Sequence, residues 1–382
     1  DRGADAWALH EAARAAEARG EDVILTTIGD SDLDTPAPVV EAAVAALRAG
    51  DTHYVEILGR PALRAAIAER FAATTGGRWG AENVSVFAGA QNALFAAALC
   101  LLDRDDEAIV LEPAYVTYGA TLAAAGARVV RVGQPAPGFR PDPAAIAAAV
   151  GPRTRVIAIT TPNNPTGVAM TEAELEAVAA IARAHDLWVI ADEVYADLVF
   201  EGAHRSIAAL PGMAGRTVTI SSLSKSHAMT GWRAGWAIAP ETLIEHMSRL
   251  GLAMLYGLPG FVQAAAVEAV RRHEAMAAEM RATFRRRRDL ACAGLAGTPG
   301  LGLLTPQAGM FLMLDVRALG PSADAVAWAL LRETGVAALD AGAFGAPAEG
   351  WLRMSFALPE PRLAEACARI RAFAARRAPD AA

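Results

Sequence analysis

The chain has 382 residues, of which 54% are hydrophobic and 20% charged, long enough for two domains with their own cores and too apolar for a disordered chain. Its 35 basic and 42 acidic residues leave a net charge of −7, which argues against general nucleic-acid binding. Cys100, Cys292 and Cys367 show neither paired nor metal-type spacing, no run of about 18 apolar residues marks a membrane span, and no signal-peptide pattern opens the chain, so a reducing, cytoplasmic setting without bound metal is expected.

In chain order, a strand is expected at 84–87, followed by Gly89-Ala90-Gln91-Asn92, a glycine turn that opens an apolar helix. Free N–H groups and the helix dipole at such a turn can seat a phosphate. Further short apolar strands are expected at 108–111, 128–132, 156–159 and 187–190. Thr171 with Glu174 three residues on predicts a capping box for a helix over 171–184. Apolar strands joined by helices predict a mostly parallel sheet buried on both faces. Ligands then gather in the loops beyond the strand C-terminal ends. Two segments sit at such loops. Thr161-Pro162-Asn163-Asn164-Pro165-Thr166-Gly167 follows one strand and by itself is only a turn. Asp192 follows another, and a carboxylate at a buried strand end needs a cationic partner or several hydrogen bonds; capping the next helix is its other possible use.

Strands are also expected at 216–220 and 236–239, with Lys225 in the small-residue loop between them. It is the only lysine, the other 34 of the 35 basic residues being arginine. A guanidinium does not readily lose its proton and cannot form a Schiff base, so a lone lysine suggests a task that only an amine can do. Ser222, Ser224 and Arg233 can hold an anion such as phosphate beside it. Beyond 240 the pattern turns helical, with an arginine-rich helix near 270–295 whose Arg285-Arg286-Arg287-Arg288 run reads as a solvated face. An α+β region follows, including segments 309–314 and 351–356, and with the N-terminal segment it reads as a smaller domain closing over the larger one. Arg353 lies in it, and a planar guanidinium matches a carboxylate bidentately.

The segment Ser222-Leu223-Ser224-Lys225 together with Arg233 resembles the lysine segment of the class I and II aminotransferases, the fold type I pyridoxal-phosphate (PLP) enzymes. Seven motifs fall in that family's order between about residues 20 and 370. They include Gly29 in Ile28-Gly29-Asp30-Ser31-Asp32-Leu33-Asp34-Thr35-Pro36, Tyr54 in a Y-x4-G-x3-LR segment, the N-P-T/S-G turn, and Arg353 in R-x-S-F/L. The resemblance implies an α/β fold with a large, mostly parallel, seven-stranded sheet domain over 36–285. A smaller α+β domain would combine 1–35 with 286–382. It implies that Lys225 carries PLP as a Schiff base and moves the substrate α-proton as base and acid. Asp192 would keep the ring nitrogen protonated, Tyr195 and Asn164 would donate to the ring oxygen, and Tyr115 would stack on the ring. Backbone N–H groups at Gly89, Ala90 and Gln91 would cup the phosphate with Ser222 and Arg233. Tyr54 would cross a homodimer interface to the neighbour's phosphate. Gly29, Asn164 and Arg353 would bind the substrate, Arg353 by its α-carboxylate. Ser31 and Leu33 depart from the family's usual proline and phenylalanine, which leaves open the path of the loop that helps set side-chain specificity.

Within the family, segments 222–233, 254–259 and 261–263 look most like those of arginine–pyruvate transaminases, which implies arginine as amino donor and pyruvate as acceptor. Tyr256 stands where many relatives carry a small hydroxyl residue. A guanidinium substrate needs acceptors, and Asp30, Asp32 and Glu56 are the carboxylates nearest in sequence to Gly29 and Tyr54; each also reads as a solvated loop charge. An aminotransferase for aspartate or for neutral or aromatic amino acids fits the same residues. So does a non-transaminating PLP enzyme such as a β-lyase or an oxidase. An aminotransferase-like regulatory domain of a transcription factor would need a DNA-binding module, which this acidic sequence does not show.

Overall fold

The computed structural model describes residues 2–378. After a short strand β1 (Ile24–Leu25), seven strands build the large sheet: β2 (Val84–Ala88), β3 (Glu107–Glu112), β4 (Arg128–Gly133), β5 (Thr154–Thr160), β6 (Trp188–Asp192), β7 (Thr217–Ser222) and β8 (Ala234–Ile238). Their spatial order is β2-β8-β7-β6-β5-β3-β4. β8 runs antiparallel to both its neighbours, and every other pairing is parallel.

Helices cover both faces, which is why these strands read as continuous apolar runs. Successive side chains in a strand point to opposite faces. Val156 and Ala158 of β5 therefore pack in one core with residues of the helices Ala90–Leu101 and Glu241–Met254. Ile157 and Ile159 pack in another with Leu175 and Val178 of Glu172–Ala184. That last helix starts where its capping box places it: the Thr171 hydroxyl accepts from the Glu174 N–H, and the Thr171 N–H donates to the Glu174 carboxylate at 2.7 Å.

A second sheet follows, built from β9 (Gly302–Leu304), β10 (Phe311–Asp315), β12 (Leu339–Asp340) and β13 (Trp351–Ser355) in the antiparallel order β12-β13-β10-β9. Between β10 and β12, β11 (Val336–Ala337) pairs in parallel with β1 and ties the N-terminal segment to this region. Leu9 and Ala13 of the first helix (Arg2–Ala18) share a core with Leu312, Leu352 and Leu363. The helix His273–Leu295 reaches the same core through Phe284 and Leu295, so residue 285 lies inside a continuous helix.

The arginine run on that helix corrects the sequence reading. Arg285 and Arg286 are exposed, but Arg287 and Arg288 are buried. Arg287 forms a bidentate pair with Asp32 at 2.5 and 2.9 Å, and its guanidinium lies over the Phe284 ring at 5.7 Å. Arg288 pairs with Glu201 and Asp289 and lies over Phe200 at 5.1 Å. Consecutive residues on a helix point about 100° apart, so a helix packed on two sides turns half of a charged run inward, where each charge has to find a partner. Among the described residues, no helix is long and apolar enough to cross a membrane.

Candidate active site

The sheet topology gathers the site at one edge. β2, β3, β5, β6 and β7 all end there. Because β8 is antiparallel, its start lies at the same edge, with Ala234 opposite Ala88 and Gly235 opposite Ser222. Arg233 is thereby held beside the turn after β2. Its guanidinium donates to the Thr230 carbonyl at 2.9 Å and the Ala88 carbonyl at 3.3 Å. Gly89 opens that turn at φ +83°, and a Cβ on it would meet the Arg233 guanidinium at 2.3 Å. A Cβ on Gly235 would meet the Ala90 nitrogen at 2.5 Å. Gly235 therefore excludes a side chain by backbone contact, and Gly89 disfavours one by its positive φ.

These contacts build an anion cradle. The first N–H groups of the helix Ala90–Leu101 have no acceptor within the helix, and Gly89 has no side chain to cap them. The Gln91 side chain is engaged elsewhere, accepting from Thr117 and donating to Thr121, which leaves its backbone N–H for a ligand. Ser222 Oγ accepts from the Ser224 N–H at 3.3 Å, so its own proton is free to donate. Main-chain donors, a hydroxyl and a guanidinium at a helix N-terminus fit a phosphate.

Lys225 projects into a cavity of about 230 Å³ next to this cradle. Of the residues predicted for the site, only Gly89 and Tyr54 do not line the cavity. The Lys225 amine donates to the Gly29 carbonyl at 2.7 Å. Burial lowers its pKa to about 8; Arg353 and Arg233 push the same way, while Asp30 and Asp192 oppose them. Such an amine supplies its neutral, nucleophilic form near physiological pH. Asp192, at the end of β6, accepts from the Tyr118 hydroxyl at 2.5 Å and from the Val194 N–H at 3.0 Å. It thus closes a local turn and still faces the cavity. Burial raises its carboxyl pKa, and the two hydrogen bonds work against that shift. Thr160 in turn donates to Tyr118 at 2.9 Å.

Sequence reading passed over Tyr118. Its one available signal is its place three residues after Tyr115 at a helix start, and nothing local says that it reaches Asp192. The Tyr115 ring lies edge-on to Tyr118 at 6.5 Å and borders the cavity. Tyr195 is buried, and burial raises its hydroxyl pKa, so it remains a donor at neutral pH.

Arg353, on β13, is the most unusual charge in the molecule. It is 3% exposed, yet among the described residues no carboxylate pairs with it. It donates to Asn164 Oδ1 at 3.0 Å and to the Thr27 carbonyl at 2.5 Å, and its Nε has no partner. Phe311 and Phe344 lie against the guanidinium at 4.1 and 4.6 Å. Burial lowers its pKa to about 10, which leaves it charged at neutral pH. A buried cation without an anion is costly, and a planar guanidinium with a free edge is a receptor for a carboxylate.

The loop after β1 is laced to the lysine loop. Besides the Gly29 contact, Asp30 accepts from Thr230 at 2.7 Å, and Thr35 bonds both the Ala228 carbonyl and the Trp232 indole N–H. Ser31 accepts from the Leu33 N–H at 3.1 Å, so a side-chain turn does the bending work at the position where the family's usual proline is absent. Asp32 is committed to Arg287, which removes it from the candidate acceptors for a cationic substrate. Glu56 is exposed on a separate surface hollow beside Tyr54 and Arg60. Tyr54 is 84% exposed and Tyr256 50%, and their rings pack together at 4.6 Å outside the cavity.

A family model described as aminotransferase class I and II matches residues 21–370. The arginine–pyruvate transaminase of Pseudomonas aeruginosa is 50% identical over 374 residues, 98% of this chain and 95% of that protein. The aspartate/prephenate aminotransferase of Thermus thermophilus is 38% identical over 366 residues, 94% of this chain and 93% of that protein. The solved structure of aspartate aminotransferase from Thermus thermophilus with maleate matches with a TM-score of 0.92 at 35% identity, covering 96% of both chains.

Proposed function

The chain belongs to the class I and II aminotransferases, and on that premise we propose that it moves the amino group of L-arginine to pyruvate with PLP held on Lys225. PLP, when bound, supplies the electrophilic carbon that takes up the amino group and a ring that withdraws electrons from the reacting carbon. The chain's residues do the rest. Arg353 binds the α-carboxylate with its free edge, and Asn164 orients that guanidinium. Lys225 Nζ would take the proton from the substrate α-carbon as base and give it back as acid. Asp192, its carboxylate fixed by Tyr118, would hold a proton on the ring nitrogen. Tyr195 and Asn164 would donate to the ring oxygen, and Tyr115 would cover the ring. The cradle of Gly89, Ala90, Gln91, Ser222 and Arg233 holds the phosphate, and Gly29 positions the lysine loop.

The observation that carries this reading is the unpaired, buried Arg353 guanidinium lining one cavity with an amine whose pKa is about 8. Arginine as donor is supported by the 50% identity to arginine–pyruvate transaminase. Keto-acid formation from arginine, alanine, aspartate and phenylalanine, each with and without pyruvate, tests it. Arginine is expected to give the highest kcat/KM and to turn over only when a 2-oxo acid is present. Turnover of aspartate or phenylalanine with none of arginine would reassign the donor. Multiple turnovers of arginine without any acceptor would point to lyase or oxidase chemistry.

A homodimer with shared sites belongs to the same proposal. Tyr54 and Tyr256 pack ring against ring with both exposed, and Tyr54 is outside its own cavity, free to serve a second copy. Mixed Lys225→Ala and Tyr54→Ala chains, each nearly inactive alone, are expected to regain part of the activity after subunit exchange. A fully active monomer in sedimentation would sink this part of the proposal.

A further inference from the structure

A donor with a cationic side chain needs an acceptor that the floor of the cavity around Lys225 does not supply. Among the described residues that line it, Lys225, Arg233 and Arg353 are basic and Asp192 is the one carboxylate. Asp192 is already engaged by Tyr118 and the Val194 N–H. The floor therefore offers no spare carboxylate to a cationic side chain, which has to find its partners at the mouth. An extended arginine side chain holds its guanidinium carbon about 6 Å from its α-carbon, far enough to do so once Arg353 has fixed the carboxylate.

Three side chains at the mouth supply what a flat cation on a methylene stem needs. Trp7, from the first helix, lines the cavity and is half-buried. Ile28, a large apolar residue, also lines it and is 42% exposed. Asp30 is exposed, and its partner Thr230 and its neighbour Gly29 line the same cavity. An indole face attracts a guanidinium through the ring quadrupole. Apolar surface takes the stem, and a carboxylate accepts from the planar fork. Trp7 is also held in place. The His10 ring stands edge-on to it at 5.6 Å and 82°, and His10 Nδ1 is hydrogen-bonded to Thr27 Oγ1 at 2.7 Å. The Thr27 carbonyl is the group that accepts from Arg353. One residue therefore links the carboxylate clamp to the indole.

We infer that Trp7, Ile28 and Asp30 form the subsite for the guanidinium side chain of the amino donor, Trp7 through its ring face and Asp30 through its carboxylate. The inference rests on the arginine reading above and names the residues that carry it. Asp32 is excluded by its bidentate pair with Arg287, and Glu56 by its place beside Tyr54 and Arg60.

The test is kcat/KM for arginine and for alanine, each with pyruvate, in the holoenzyme and in Trp7→Leu, Trp7→Phe and Asp30→Asn. The arginine-to-alanine ratio does not depend on the fraction of active protein, so a poorly folded variant still reports on the subsite. That ratio is expected to fall about tenfold in Trp7→Leu and about fivefold in Asp30→Asn, through KM for arginine. It is expected to fall less than about threefold in Trp7→Phe, which keeps a ring face. An unchanged ratio in either Trp7→Leu or Asp30→Asn overturns the subsite. A wild type that uses alanine but not arginine overturns the donor reading instead.

Discussion

Lys225→Ala is expected to abolish transamination, with turnover falling by about 10⁴-fold or more. The chain has no second lysine. No neighbouring amine can then take over either the Schiff base or the proton transfer. The structural cost of the change is small. It removes one hydrogen bond to the Gly29 carbonyl and relieves the burial of an amine whose pKa is already depressed to about 8. The variant should therefore fold, and its circular dichroism should match the wild type. Residual activity within about tenfold of wild type, in protein free of contaminating transaminase, would show that Lys225 is not the group that moves the proton.

The second large effect is expected at Arg353. Arg353→Leu removes the buried cation assigned above to the α-carboxylate. It also leaves Asn164 Oδ1 and the Thr27 carbonyl without their donor. Losing one partner of a buried charge pair costs about 3–5 kcal/mol, which is about 10²–10⁴-fold in kcat/KM. The loss should appear mainly as a raised KM for both amino acid and keto acid, because the carboxylate is held before and during the reaction. Arg353→Lys should recover little, since a single ammonium cannot bond Asn164, the Thr27 carbonyl and a carboxylate in one plane. Steady-state kinetics with varied donor and acceptor decide the matter. An unchanged KM for both substrates would remove Arg353 from the substrate site.

Much of this was legible in the sequence, because the large sheet obeys local rules. Apolar strands of even length, a capping box at Thr171 and a glycine turn at Gly89 each announce their structure within a few residues. Lys225 was conspicuous by composition alone. The strand ends were less legible: Ser222 and Ala234 looked like loop, but β7 and β8 extend through them because Ser222 pairs with Gly235 across the ladder. What stayed hidden depends on contacts distant in the chain. Arg287 meets Asp32 across 255 residues, so one charge read as solvated and the other read as a candidate acceptor cancel each other. Tyr118 reaches Asp192 across 74 residues, and Trp7 lines the cavity from a helix whose Leu9 and Ala13 pack with residues more than 290 positions away. No spacing rule encodes such meetings. They follow from which strand ends share an edge.

The most direct test of the central claim is borohydride reduction of the holoenzyme followed by peptide mapping. Reduction fixes a Schiff base as a stable secondary amine on the residue that formed it. One phosphopyridoxyl group per chain is expected, on the peptide containing Lys225, and none in Lys225→Ala. An adduct on the N-terminal amine, or one that persists in Lys225→Ala, would contradict the assignment of Lys225 as the cofactor lysine.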